Sequence, residues 1–178
     1  MKTKSKLLIV ALLPLLYLTS CDDPKNARKY NAETATDAAG LSFISNAAEA
    51  GHAEVAAAKV AAQVSKNPKV VEFANMMITD HTAAGEKLHK VMDNELVTGS
   101  FPVSEEHQEL IDTLSKLSGD AFDKAYMQFM VNSHQEAVEL FEVGADDRAC
   151  AVQTFARETK PTVEKHLEEA KNILAALK

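Results

Sequence analysis

Apolar residues recur along the chain in alternating steps of three and four, the spacing that lines one face of a helix. Between 37 and 65 the stripe is Phe43, Ala47, Ala50, Glu54, Ala57, Ala61 and Val64. From Pro68 to about Val97 it is Val70, Ala74, Met77, His81, Ala84, Leu88 and Val91. A third long segment, 121–143, carries Met127, Met130, His134, Ala137 and Phe141. A fourth, ending at Leu177, carries Val152, Ala156, Thr159, Val163, His166, Ala170 and Ile173. Asn67-Pro68 separates the first two segments, because proline suits a helix start and not its interior. The run TGSFP at 98–102 is a second break, and a shorter helix over 104–117 follows it. Ser104 is its N-cap, with acidic residues in the first turn. Ser118-Gly119-Asp120 ends that helix and caps the next, and Gly144-Ala145-Asp146-Asp147 reads as a turn with a new N-cap. Pro161 predicts a kink or interruption near Thr159.

Four long amphipathic helices, with a longer connection after the second, predict an all-α four-helix bundle of the crossover type with a short extra helix in the crossover. The seven-residue rhythm favours shallow crossing angles. The many alanines on the stripes predict close approach of the first two helices. A weak internal likeness, FANMMITDHTAAGEKL (73–88) against YMQFMVNSHQEAVELF (126–141), puts His81 and His134 in register and points to two related halves.

The N-terminus changes the picture of where this bundle works. MKTKSK carries three lysines, and 7–18 is an uncharged apolar run, too short for a span of about 20 residues. Basic start and short apolar core read as a secretory signal over 1–20. The run ends in Leu18-Thr19-Ser20-Cys21, which resembles the lipobox of bacterial lipoproteins, so Cys21 is the predicted lipidation site and the membrane anchor. The other cysteine, Cys150, is then left without a partner in the chain, and a free packed thiol is expected despite an oxidising compartment. Residues 21–36 read as a flexible polar tether and 37–178 as the bundle. Without Lys2, Lys4 and Lys6, the 19 basic residues become 16 against 26 acidic, a net charge of −10. An acidic surface argues against nucleic-acid binding, which needs clustered Lys and Arg. The protein is therefore placed in the bacterial cell envelope, on the periplasmic or outer-membrane side.

Three histidines occupy stripe positions on three helices, His81, His134 and His166, and the remaining long helix has Glu54 in its stripe. His52, His89 and His107 lie off the stripes and read as solvated. Glu54 and His81 are equidistant from Asn67-Pro68, so antiparallel helices bring them level. His134 and His166 are offset about the Asp146-Asp147 turn by roughly six residues, about 9 Å at helical rise. Buried imidazoles and a buried carboxylate need partners. One relief is a single transition-metal ion (Zn, Cu or Fe) held by Glu54, His81, His134 and His166. The other is a closed hydrogen-bond network in a structural or interaction lipoprotein. The Glu-x-x-His pairs of diiron bundles are missing, since Ile78, Val131 and Val163 stand where those glutamates would be. Asp80 points about 100° away from His81 and reads as solvated or as an acceptor behind a ligand. Met76, Met77, Met127 and Met130 would bias a site towards copper, although core filling explains them more simply. A b-type haem is the weaker reading: there is no Cys-x-x-Cys-His, and Ala-rich helices leave little room. No Ser-His-Asp set, phosphate loop or zinc-protease motif is present, so the residues name no reaction.

The segments LSFISNAAEAGHAEV, FANMMITDH, FDKAYMQFMVNSHQEAVELF and FARETKPTVEKHLEEA resemble a bacterial family of unknown function, often labelled predicted outer-membrane proteins. The resemblance covers about 40–177. It rests on Glu54, Asp80-His81, His134, and Pro161-Thr162 with His166, while Ser133 stands where the family often carries Asp. It implies a ferritin-like helical bundle and no particular activity.

Overall fold

The computed structural model describes residues 35–177. The signal segment, Cys21 and nearly all of the proposed tether lie outside the described residues. Among the described residues, the last two assigned to that tether are packed. The Ala35 N–H donates to the Glu95 carbonyl at 2.7 Å, and Thr36 is buried. Five helices follow: α1 (Ala38–Val64), α2 (Pro68–Asn94), α3 (Glu105–Leu114), α4 (Gly119–Gly144) and α5 (Cys150–Ala176). No strand occurs among the described residues.

The caps explain most of the boundaries. Asp37 accepts from the N–H groups of Ala39 and Gly40 and starts α1. Asn67 accepts from the Lys69 N–H beside Pro68 in the first turn of α2. Ser104 accepts from the His107 N–H and starts α3. Ser118 is the N-cap of α4 but makes no side-chain cap bond. The cap expected at Asp146-Asp147 is displaced. Asp147 Oδ1 accepts from the Ala149 N–H at 2.8 Å, inside the loop, and α5 begins at Cys150. The expected interruption at Pro161 is also absent, because α5 runs unbroken from Cys150 to Ala176. Proline removes one N–H and crowds one carbonyl, and the packing on both sides of it, from Val163 to Phe155, keeps the rod intact.

Two apolar clusters fix the topology. At one end the C-terminal part of α1 (Ala57, Ala61), the start of α2 (Val70, Phe73), the start of α4 (Phe122, Met127) and the end of α5 (Ala170, Ile173) pack together with Ile111 and Leu114 of α3. At the other end the start of α1 (Phe43, Ile44), the end of α2 (Leu88, Val91), the end of α4 (Phe141) and the start of α5 (Val152, Phe155) do the same. Hence α1 and α5 run one way and α2 and α4 the other, and the crossover through α3 climbs the length of the bundle. Phe43, Phe141 and Phe155 form a triangle of rings with centroids 5.3, 5.8 and 6.2 Å apart. Phe43 lies directly on Gly144, where a Cβ would collide with its ring. Met77, Met127 and Met130 are fully buried in the first cluster, as core filling predicts.

Two sequence expectations about α1 need correction. Its alanines give a packed wall only in the C-terminal half, where Ala57, Ala58 and Ala61 are buried, whereas Ala47, Ala50 and Gly51 line a cleft. His52 and His107 are not simply solvated. Nδ1 of His52 bonds the Phe101 carbonyl at 2.8 Å, and Nδ1 of His107 bonds Glu49 Oε1 at 2.7 Å. Glu49 also accepts from the Ser104 N–H, so these side chains tie the crossover to α1. Cys150 is free and partly exposed.

Gly144→Ala is expected to cost about 1–3 kcal/mol, the usual penalty of overpacking, read as a lowered urea midpoint. Gly85→Ala, at an exposed helical position where a Cβ meets nothing, should instead gain about 0.5–1 kcal/mol. Equal responses at the two glycines would contradict the Phe43 contact.

Candidate metal centre

Between the two apolar clusters the bundle carries a polar layer. Glu54 on α1, His81 on α2, Ser133 and His134 on α4 and His166 on α5 meet there, with Asp80 at its edge. The Glu54 carboxylate is 2 % exposed and both of its oxygens are used. Oε2 accepts from Nδ1 of His81 at 2.9 Å. Oε1 accepts from the Ser133 hydroxyl at 2.6 Å and lies 3.2 Å from Nδ1 of His134. That same Nδ1 is 3.0 Å from the Met130 carbonyl, so its hydrogen is shared. Nε2 of His166 donates to Asp80 Oδ2 at 3.0 Å.

Each of these acceptors is a carboxylate or a carbonyl, which can only accept. The tautomers follow: Nδ1 of His81 and His134 and Nε2 of His166 carry hydrogens. The opposite nitrogens, Nε2 of His81, Nε2 of His134 and Nδ1 of His166, are buried and have no hydrogen-bond partner among the described residues. The three rings form a nearly equilateral triangle, with centroids 5.4, 5.5 and 5.5 Å apart. One ring nitrogen from each lies within 4.8 Å of those of the other two. In a tetrahedral site with bonds of about 2.0–2.1 Å, ligand nitrogens sit about 3.4 Å apart. Modest side-chain movement therefore brings the triangle to ligating distance.

All four residues singled out in the sequence come together, but not in equal roles. His81, His134 and His166 form the triangle. Glu54 stands behind it, with its oxygens spent on the hydrogens of His81, His134 and Ser133, so the four-ligand set becomes three imidazoles oriented by carboxylates. Asp80 is the acceptor behind His166, as one of its two sequence readings had it. Ser133 was not assigned a role from sequence. The only signal was its place where the resembling family carries Asp, and here its hydroxyl donates to Glu54.

The expected 9 Å offset between His134 and His166 does not exist, and Pro161 does not absorb it. Gly144 faces Ala156, at 3.1 Å from where a Cβ would sit to the Ala156 Cβ. Residue 150 is therefore the level point of the hairpin, 16 positions from His134 and 16 from His166. The loop 145–149 lengthens one arm and corrects the register. The room denied to a haem also exists, as a cleft of about 590 Å³. Even so, three rings only 5.4 to 5.5 Å apart leave no slot for a macrocycle between them.

The charges follow from this geometry. Burial alone would push the Glu54 carboxyl up, but His81, His134 and the Ser133 hydroxyl outweigh it and hold it at about 2. Burial presses the His81 pKa down, yet the Glu54 and Asp80 carboxylates win and it is raised above 6.5. His134 is lowered by burial, only partly offset by Glu54. His166 is lowered to about 4 by burial and by its His81 neighbour, against the pull of Asp80. Two of the three rings are therefore neutral at pH 7, the state a metal requires.

The sequence pattern of a family described as "Domain of unknown function (DUF4142)" matches residues 25–173. No curated protein matches the sequence. Among solved structures, a DUF305 fragment from Deinococcus radiodurans is similar, with a TM-score of 0.72 at 17% identity over 80% of this chain and 99% of that one. A putative secreted DUF305 protein from Streptomyces coelicolor is also similar, with a TM-score of 0.65 at 14% identity over 78% and 91%. These likenesses support the bundle fold.

Metal-free protein should lose stability towards acid in two stages. His166 titrates at 6.5 when unfolded and at about 4 when folded, so its contribution is full above 6.5 and lost as pH falls towards 4. That is about 3 kcal/mol at 1.36 kcal/mol per unit. Glu54, depressed from 4.5 to about 2, contributes above 4.5 and is lost below it. Urea titrations at pH 7, 5 and 3 check this, and His166→Gln should shrink the first stage to the part that His134 contributes and leave the second in place.

Proposed function

The chain belongs to the DUF4142 family, a domain of unknown function, and on that premise we propose that it binds one divalent transition-metal ion through His81, His134 and His166. The observation that carries this reading is the set of three buried imidazole nitrogens without hydrogen-bond partners among the described residues, on rings spaced for a common ion. A closed hydrogen-bond network, the competing explanation of a polar core, would pair those nitrogens. Three such atoms left unpaired would each cost about 1–3 kcal/mol. The arrangement behind them fits the same reading. Histidine ligands commonly donate their other ring N–H to a carboxylate or carbonyl, which fixes the ring and raises its basicity. Here Glu54, Asp80 and the Met130 carbonyl take those hydrogens.

Three imidazoles and no carboxylate ligand suit zinc, copper or iron. A single ion is favoured because Ile78, Val131 and Val163 put no second carboxylate pair in the layer. Three protein ligands leave one tetrahedral position for an outside ligand, unlike the closed sites that only hold structure together. Binding, rather than a named reaction, is the function proposed.

We also infer export and anchoring through lipid on Cys21. The support is the basic, apolar, cysteine-terminated N-terminal sequence, together with a structural neighbour described as a putative secreted protein. No helix among the described residues is long and apolar enough to cross a membrane.

The test is metal content and stability of the chain 22–178, which contains every helix described, purified without a histidine tag. Zinc or copper at 100 times its Kd should stabilise it by about 2.7 kcal/mol, with near one equivalent retained after dialysis. A His81→Ala, His134→Ala double variant should lose both effects while keeping its helical signal. A parent that takes up no zinc, copper, iron or manganese would defeat the metal reading.

A further inference from the structure

The three unpaired nitrogens are buried, so an ion reaches them only when a ring moves. A ring moves most easily where it has free space beside it and a weak tie behind it. His81 and His166 border the inner end of the cleft, together with Glu54 and Asp80, whereas His134 does not. His134 is also the most firmly held of the three. Its Nδ1 hydrogen lies between the Met130 carbonyl at 3.0 Å and Glu54 Oε1 at 3.2 Å.

His81 and His166 differ in what ties them. Nδ1 of His81 is bonded to Glu54, whose side chain is 2 % exposed. Nε2 of His166 is bonded to Asp80, whose side chain is 41 % exposed. Water competes for an exposed acceptor and hardly for a buried one, so the Asp80 bond is the easier to break. Direction agrees with this. Side chains on a helix lean towards its N-terminus. The start of α5 lies at the cleft end of the bundle, with Phe155 and Val163 in the cleft wall, so His166 leans towards the open space. The helices α2 and α4 start at the opposite end, so His81 and His134 lean away from it.

Resting on the metal reading, we propose that His166 is the moving ligand of the centre. Its ring swings into the cleft when the bond to Asp80 breaks, opens the way to His81 and His134, and closes on the ion as it returns. Asp80 is then a positioning residue, the latch of that ring. The cleft is the space the ring moves through. Its walls of Leu88, Leu140, Phe141 and Phe155 offer a displaced imidazole no hydrogen bond, which favours return.

The test is kinetic. The chain 22–178 is mixed with cobalt(II) and the cobalt absorption band gives the uptake rate; excess EDTA then gives the release rate. Ala84 borders the cleft one turn beyond His81, and Ala50 borders it one turn before Glu54. Ala84→Leu puts bulk where the ring must pass. It should slow uptake and release by the same factor, on the order of tenfold, and leave the affinity unchanged, because an obstruction raises the barrier from both sides. Damaged packing would instead speed release. Asp80→Asn keeps an acceptor but loses the charge that strengthens the bond, so release should quicken about tenfold. That gain should vanish in the double variant with Ala84→Leu, where the ring has no room. Ala50→Leu replaces Ala84→Leu should the latter not fold. Filled variants that release cobalt as fast as the parent, or faster, would overturn the swing through the cleft. Release no faster in Asp80→Asn than in the parent would overturn the choice of His166. A parent that takes up no cobalt at equilibrium would remove the metal reading and this proposal with it.

Discussion

A buried carboxylate that must find its hydrogens organises this bundle. Glu54 is 2 % exposed, and an ionised group that deep survives only when its surroundings replace water. The replacement comes from His81 on α2 and from Ser133 and His134 on α4. One side chain of α1 therefore sets the height of two neighbouring helices. Asp80 on α2 fixes α5 through His166. Apolar packing above and below the layer is tolerant of small slides, whereas hydrogen bonds of 2.6–3.2 Å are not. Register is thus specified by the polar layer and stability by the two apolar clusters that enclose it.

The same arrangement separates two jobs that a metal site has to combine. Orientation lies behind the rings, in Glu54, Asp80 and the Met130 carbonyl. Left over for the proposed ion are the three unpaired nitrogens, on rings 5.4 to 5.5 Å apart. The cleft reaches this layer along Glu54, Asp80, His81 and His166, while the unpaired nitrogens are buried.

The helices, their order and the inward histidines were legible in the sequence, because a 3.6-residue period and the breaks at Asn67-Pro68 and 98–102 are local signals. The pairing of Glu54 with His81 was legible too, since a short symmetric turn lets positions be counted outwards. Counting failed in the second hairpin, where loop 145–149 adds length to one arm and Pro161 drew attention away from it. The place of Glu54 behind the rings was not legible for a simpler reason. Spacing shows that a carboxylate faces the core, but not which side of an imidazole it meets. His107, His52 and Ser133 escaped because their partners lie 49 to 79 residues away in sequence. The cleft escaped because alanine and glycine on a stripe look alike whether they touch a neighbour or stand back from one.

The way the layer is shared between the two hairpins constrains the order of assembly. The first hairpin, α1 with α2, holds both orienting carboxylates but one histidine. The second, α4 with α5, holds two histidines, and the carboxylates that aim them lie 80 and 86 residues earlier. Neither half can build the triangle by itself. Contacts so distant along the chain close late, after local helices and hairpins have formed. A chain emerging vectorially has no complete histidine triangle until His166 is out and the hairpins have docked.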